Sequence, residues 1–191
     1  MLFNVQMQTI YLPLLIIAAF ISITPIESST AFAQTNNALI GIKFTDPPDN
    51  WNGVVIRPCT EPFQDCMYGW VIIDPIYNPS YASSIRAVNL NESVAGHEAC
   101  NCQNLSDFVK WDNNRMSRTR FAGPGNQTEV NNNHSAWQME IKENGNYEYL
   151  VWTINKNIGY IFSYSYTNMG NNDPDKYLAD FKQILRSVEF S

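Results

Sequence analysis

The chain has 191 residues, a formal net charge of −6 and a mean hydropathy of −0.27. That acidic balance argues against nucleic acid and against anionic membrane surfaces, both of which call for basic patches. Asparagine is abundant while Lys and Glu are modest, which is not the ion-pair-rich composition of hyperthermophile proteins.

From the N-terminus, a mostly apolar run from Tyr11 to Ile23 ends at Thr24-Pro25, and polar residues Glu27 to Thr30 precede Ala31-Phe32-Ala33. The run is short for a membrane span, which needs about 20 apolar residues, and the A-x-A arrangement fits a signal-peptidase site. Residues 1–33 are therefore expected to be a signal peptide cleaved after Ala33. No Lys or Arg precedes Lys43, so a retained anchor is the alternative. In either case residues 34–191 are expected to work outside the cytoplasm, secreted or cell-surface associated, without themselves spanning a membrane. The 158 residues that remain are the size of one domain with its own core, and losing Glu27 leaves them a charge of −5.

Within that domain Ile40, Ile42 and Phe44 alternate with Gly41 and Lys43 as in a half-buried strand, and Asp46-Pro47-Pro48-Asp49-Asn50 forces a turn before Trp51. Val54-Val55-Ile56 and Trp70-Val71-Ile72-Ile73 read as short strands bracketing a loop from Cys59 to Cys66, and Ile85 to Leu90 is a further strand. Leu105, Phe108, Val109 and Met116 share one helical face, predicting a helix near Ser106 to Arg118 with Asn104 or Ser106 as N-cap. Residues 122–135 are polar and turn-rich and read as an exposed loop.

The C-terminal third has the clearest pattern. Trp137, Met139 and Ile141 alternate with polar residues, and Asn144-Gly145 is the favoured two-residue hairpin turn. Residues 147–154 are apolar or aromatic on both alternating sets, as expected of a central strand covered on both faces. A turn at 155–159 leads to a third strand carrying Tyr160, Phe162, Tyr164 and Tyr166, which completes an antiparallel meander. Asp173-Pro174 then offers an N-cap and a first-turn proline to a helix near Pro174 to Ser187, whose apolar stripe is Tyr177, Leu178, Phe181, Ile184, Leu185 and Val188. The fold class is α+β: an antiparallel β-sheet covered by helices.

Four cysteines in an exported domain, Cys59, Cys66, Cys100 and Cys102, predict two disulfides. Direct pairing of Cys100 with Cys102 closes a very small loop, so the expectation is that each reaches back to the 59–66 segment. Soft ligands also invite copper or zinc, with His97 joining Cys59, Cys66, Cys100 and Cys102, although the spacings C-x6-C and C-x-C depart from the usual zinc pattern. Sequons stand at Asn91, Asn104, Asn126 and Asn133 as candidate glycosylation sites.

The order of these pieces resembles the PsbP-like family, named for an extrinsic subunit of photosystem II. The resemblance rests on Phe44-Thr45-Asp46-Pro47-Pro48-Asp49-Asn50-Trp51 and on Gly159-Tyr160-Ile161-Phe162-Ser163-Tyr164 followed by Tyr177 to Phe190. Phe181-Lys182-Gln183-Ile184-Leu185-Arg186-Ser187-Val188-Glu189-Phe190 is similar to that family's closing helix and terminal strand. The resemblance implies an α/β/α sandwich and a binding or assembly protein with no catalytic triad. The cysteines depart from the plant subunit, so its photosynthetic role is not carried over.

No catalytic constellation appears. The two histidines are His97, beside the cysteines, and His134, inside a sequon; no G-x-S-x-G, H-E-x-x-H, P-loop or dinucleotide fingerprint occurs. Asp46 with Asp49 and Asp173 with Asp175 read as turn and cap residues rather than calcium ligands. Tyr147, Tyr149, Tyr160 and Tyr164 on adjacent strands form a candidate ligand face. The expectation is a non-enzymatic binding or assembly module, without a cofactor, for a protein partner or cell-surface assembly. Two alternatives stand beside it: a copper or zinc protein using the cysteines and His97, and a small-molecule carrier or hydrolase with an aromatic pocket.

Overall fold

The computed structural model describes residues 41–45, 47–57, 65–72, 81–93, 98–116, 125–131, 133–143, 145–167 and 175–191. The predicted signal segment, Cys59, His97 and the Asp173-Pro174 cap lie outside these residues.

In chain order the strands are β1 (Ile42–Lys43), β2 (Trp51–Arg57), β3 (Asp65–Ile72) and β4 (Tyr81–Asn89), then helix α1 (Leu105–Arg115). There follow β5 (Asn126–Val130), β6 (His134–Glu143), β7 (Asn146–Asn155), β8 (Ile158–Thr167), helix α2 (Leu178–Ser187) and β9 (Glu189–Phe190). Seven strands form one antiparallel sheet in the order β2-β3-β4-β8-β7-β6-β5, and β1 pairs with β9 as a separate two-stranded ribbon. With α1 on one face and α2 on the other, this is the expected α+β arrangement. No helix among the described residues is long and apolar enough to cross a membrane.

Period-two alternation decides which side chain meets which helix. On the α2 face Tyr147 opposes Tyr166, Tyr149 opposes Tyr164 and Val151 opposes Phe162, while Tyr81, Ile85 and Ala87 of β4 continue the same rows. On the α1 face Met139 opposes Leu150 and Trp152 opposes Ile161. Each face therefore carries its own core: Phe181, Ile184 and Leu185 of α2 close one, and Phe108 and Val109 of α1 close the other. The two-sided apolar pattern of 147–154 arises because β7 is sandwiched between these cores.

The turns follow local chemistry. Gly145 has φ 79° in the β6–β7 hairpin, and Lys156, at φ 57°, turns β7 into β8. Gly159 has a different reason to be glycine: a Cβ there would overlap the ring of Phe108. The sheet thus lets α1 approach where it has no side chain.

Several expectations are corrected. The polar stretch 122–135 contains a strand, β5, paired with β6 from Asn126↔Gln138 to Val130↔His134. It reads as a loop because a terminal strand is wet: Asn126, Gln127 and Glu129 are exposed, and only Val130 is buried. β3 begins at Asp65, so Cys66 belongs to a strand rather than to a loop. α2 starts at Leu178, with Tyr177 as an N-cap that makes no side-chain hydrogen bond, four residues later than the proline signal predicted. Its stripe is as expected, with Tyr177, Leu178, Phe181, Ile184, Leu185 and Val188 all buried.

Candidate functional site

The tyrosines expected to form a ligand face are core residues. Tyr147, Tyr149, Tyr160 and Tyr164 are 6%, 5%, 1% and 0% exposed. Phe181 of α2 sits edge-on to Tyr149 at 6.1 Å between ring centroids and lies 5.9 Å from Tyr164. The Tyr149 hydroxyl donates to Gln138 Oε1 at 2.7 Å. Burial raises the Tyr160 phenol to about 12. Burial also raises Tyr147, Tyr149 and Tyr164, helped by the charge of Glu140 at Tyr147 and Tyr149 and by Tyr81 at Tyr164. The aromatic pocket anticipated for a carrier is filled by the helix among the described residues.

The cysteine pairing also differs from expectation. Cys100 is bonded to Cys102, with Cα atoms 5.0 Å apart, and Cys66 is disulfide-bonded within the α2-face core at 0% exposure. The small loop closes because Asn101 adopts φ 47°, a left-handed conformation that asparagine tolerates and that brings its neighbours' side chains together. The loop is anchored by Asn101 N–H to Leu90 O at 2.8 Å and by Trp111 Nε1 to Glu98 O at 3.1 Å. No group of three or more metal-ligating side chains forms among the described residues, and Cys59 and His97 lie outside them.

His134 opens β6 instead of standing in a loop. Its Nε2 lies 2.8 Å from Ile154 O and its ring 4.4 Å from that of Phe190, a structural role joining β6, β7 and β9. The four sequon asparagines are all exposed. Asn104 is the N-cap of α1, accepting from Asp107 N at 3.0 Å while its Nδ2 donates to Asp107 Oδ2 at 2.9 Å.

Beneath α1 lies a charge cluster that the sequence reading missed. Asp112, fully buried, accepts from Arg86 Nη2, from Arg115 Nη2 at 3.1 Å and from Trp152 Nε1 at 2.9 Å. Asp65 of β3 completes it, 3.4 Å from Arg115 Nη1 and 3.9 Å from Arg86 Nε. Among the described residues two guanidinium groups and two carboxylates thus meet here, with Arg115 also 4.8 Å over the ring of Trp111. The available signal was Arg86, a lone charge between Ile85 and Ala87 in an apolar strand. The paired charges suit a structural tie between β3, β4 and α1 better than a catalytic centre.

The open concave surface is elsewhere. A groove of about 460 Å³ runs between the start of α1 and the β5–β6 edge, lined by Asn104, Leu105 and Ser106 on one wall and Gln127, Thr128, Glu129, Ser135 and Trp137 on the other. Its amide and hydroxyl groups surround one indole, the mixture that recognises polar chains. Trp137 reaches its position because residue 125 is glycine; a Cβ there would overlap the indole nitrogen. Among the described residues no strand pairs with the outer edge of β5, and Gln127, Thr128 and Glu129 of that strand line the groove.

No protein-family model matches the sequence, and no curated protein is similar to it in sequence. Two solved structures are similar in arrangement. One is the solution structure of cyanobacterial PsbP (CyanoP) from Synechocystis sp. PCC 6803, with 12% identity and a TM-score of 0.49, over 79% of this chain and 87% of that one. The other is a crystal structure of a protein from Bacteroides thetaiotaomicron VPI-5482, with 11% identity and a TM-score of 0.43; it matches 79% of this chain, which spans 45% of that protein's length. At these values the likeness assigns no role to any residue here.

Proposed function

We propose that residues 34–191 form an exported, non-enzymatic binding module of the PsbP-like type, working outside the cytoplasm on a protein partner within a cell-surface assembly. The observation that carries this reading is the outer edge of β5, with which no strand pairs among the described residues, beside the Trp137 groove. An extended segment of the partner adds to β5 as a strand, its backbone hydrogen bonds giving affinity and its side chains meeting the groove. Glu129 is the one charged residue in the groove lining, so the segment is neutral or basic rather than acidic.

The test is co-sedimentation of the purified mature protein with envelopes of its own cells. Trp137→Ala and a charge-reversing Glu129→Lys should each lower the bound fraction, while Lys110→Ala on the far side of α1 leaves it unchanged. Equal binding by all four proteins would remove the groove from the account.

A further inference from the structure

Cys100 and Cys102 differ from Cys66 in ways that bear on chemistry. Cys66 is fully buried in a strand beneath α2. Cys100 and Cys102 are half-buried on a surface turn, resting on the edge of the core formed by Phe108 and Val109, with the exposed Asn101 between them. Their bond closes a loop with a sequence separation of 2. Closing so short a loop removes little entropy from the unfolded chain, so the bond contributes little as a staple.

The turn is held in place without the bond. Asn101 N–H is tied to the carbonyl of Leu90, the residue after β4, and the Glu98 carbonyl is tied to the Trp111 indole of α1. Opening the disulfide leaves both thiols on an anchored turn, adjacent and ready to close again. A pair that is partly exposed, adds little as a cross-link and sits on an anchored turn suits thiol–disulfide exchange.

We propose that Cys100–Cys102 is a reversible thiol–disulfide exchange site that accepts electrons from a dithiol, as carried by a reduced protein with two neighbouring cysteines. A thiolate of the donor attacks one sulfur of the pair, breaking the Cys100–Cys102 bond and forming a mixed disulfide. The sulfur released takes up a proton. The donor's second thiolate then attacks the mixed disulfide, expelling the other cysteine as a thiol. Two electrons and two protons pass to this chain, and the donor leaves as a disulfide.

The test uses the mature protein equilibrated without oxygen in buffers of dithiothreitol and its oxidised form, followed by alkylation and mass mapping. Cys100 and Cys102 should become alkylated together at a reductant ratio at least about tenfold lower than that needed for Cys66. The near-ultraviolet circular dichroism should be retained, and removing the reductant should restore the bond. The double variant Cys100→Ser/Cys102→Ser should still unfold cooperatively. Alkylation that appears only together with Cys66, or loss of tertiary structure when the pair opens or is replaced, would overturn the proposal and make the bond structural.

Discussion

Replacing Asp112 by Ala tests whether the buried charge cluster holds α1 to the sheet. The carboxylate is 0% exposed and receives Arg86, Arg115 and the Trp152 indole. Without it, the two buried guanidinium groups keep, among the described residues, the carboxylate of Asp65, at 3.4 and 3.9 Å, and the Trp152 N–H loses its acceptor. Removing one partner of a buried pair costs about 3–5 kcal/mol. The stranded indole adds about 1–3 kcal/mol. Against a total stability of about 5–15 kcal/mol for a domain, the variant should be barely folded. In thermal unfolding, the combined loss of about 4–8 kcal/mol corresponds to a fall in Tm of roughly 8–32 °C for a domain of this size. Asp112→Asn, which can still accept from the indole but carries no charge, should fall between the variant and the parent. Lys110→Ala, which breaks an ion pair whose lysine is 72% exposed, should cost under about 1 kcal/mol. The assay is guanidinium unfolding at neutral pH followed by tryptophan fluorescence. A loss below about 1 kcal/mol for Asp112→Ala would refute the reasoning, because it would mean that water or rearrangement replaces the carboxylate at little cost.

The packing makes three further predictions. Gly159→Ala places a methyl group in the ring of the fully buried Phe108 and should destabilise the protein by about 1–3 kcal/mol in the same unfolding assay, as overpacking does. Phe181→Ala removes the ring that covers Tyr149 and Tyr164 and should cost about 3–5 kcal/mol, with a new site for a hydrophobic dye as its second readout. Alkaline pH gives a signed test: the phenol of Tyr160 is raised from 10.0 to about 12 in the folded protein, so the unfolded chain ionises first. The Tyr160 contribution should be fully present below pH 10 and be lost as pH rises toward 12, with tyrosinate absorbance appearing together with unfolding; stepwise titration of a protein that stays folded would contradict it.

The elements that periodicity revealed are those with one dry face. β6, β7 and β8 and the α2 stripe could be read because alternation or helical spacing of Trp137, Met139, Leu150, Phe162, Phe181 and Ile184 marks a buried side. β5 escaped notice because a terminal strand wetted along most of its length carries the composition of a loop, Asn-Gln-Thr-Glu, and only pairing with β6 defines it. The start of α2 was misplaced because a cap signal is local, while the packing of Tyr177 on Tyr81, at 4.9 Å between rings, belongs to the tertiary structure. The Cys100–Cys102 bond depends on the left-handed backbone at Asn101, and spacing alone does not reveal a φ angle. The groove and the charge cluster each join residues distant in sequence, Asn104 with Trp137 and Asp65 with Asp112. Of the cluster only Arg86, a charge inside an apolar strand, left a trace in the sequence.

The most direct test of the binding account is site-specific photo-crosslinking in living cells, with the reactive group placed in turn at Gln127 on β5, at Ser106 across the groove, and at Lys110 as a control. The account predicts one discrete protein adduct from Gln127 and Ser106, absent from Lys110 and lost when Trp137→Ala is added. Adducts of equal yield from all three positions, or an adduct from Gln127 that survives Trp137→Ala unchanged, would contradict it.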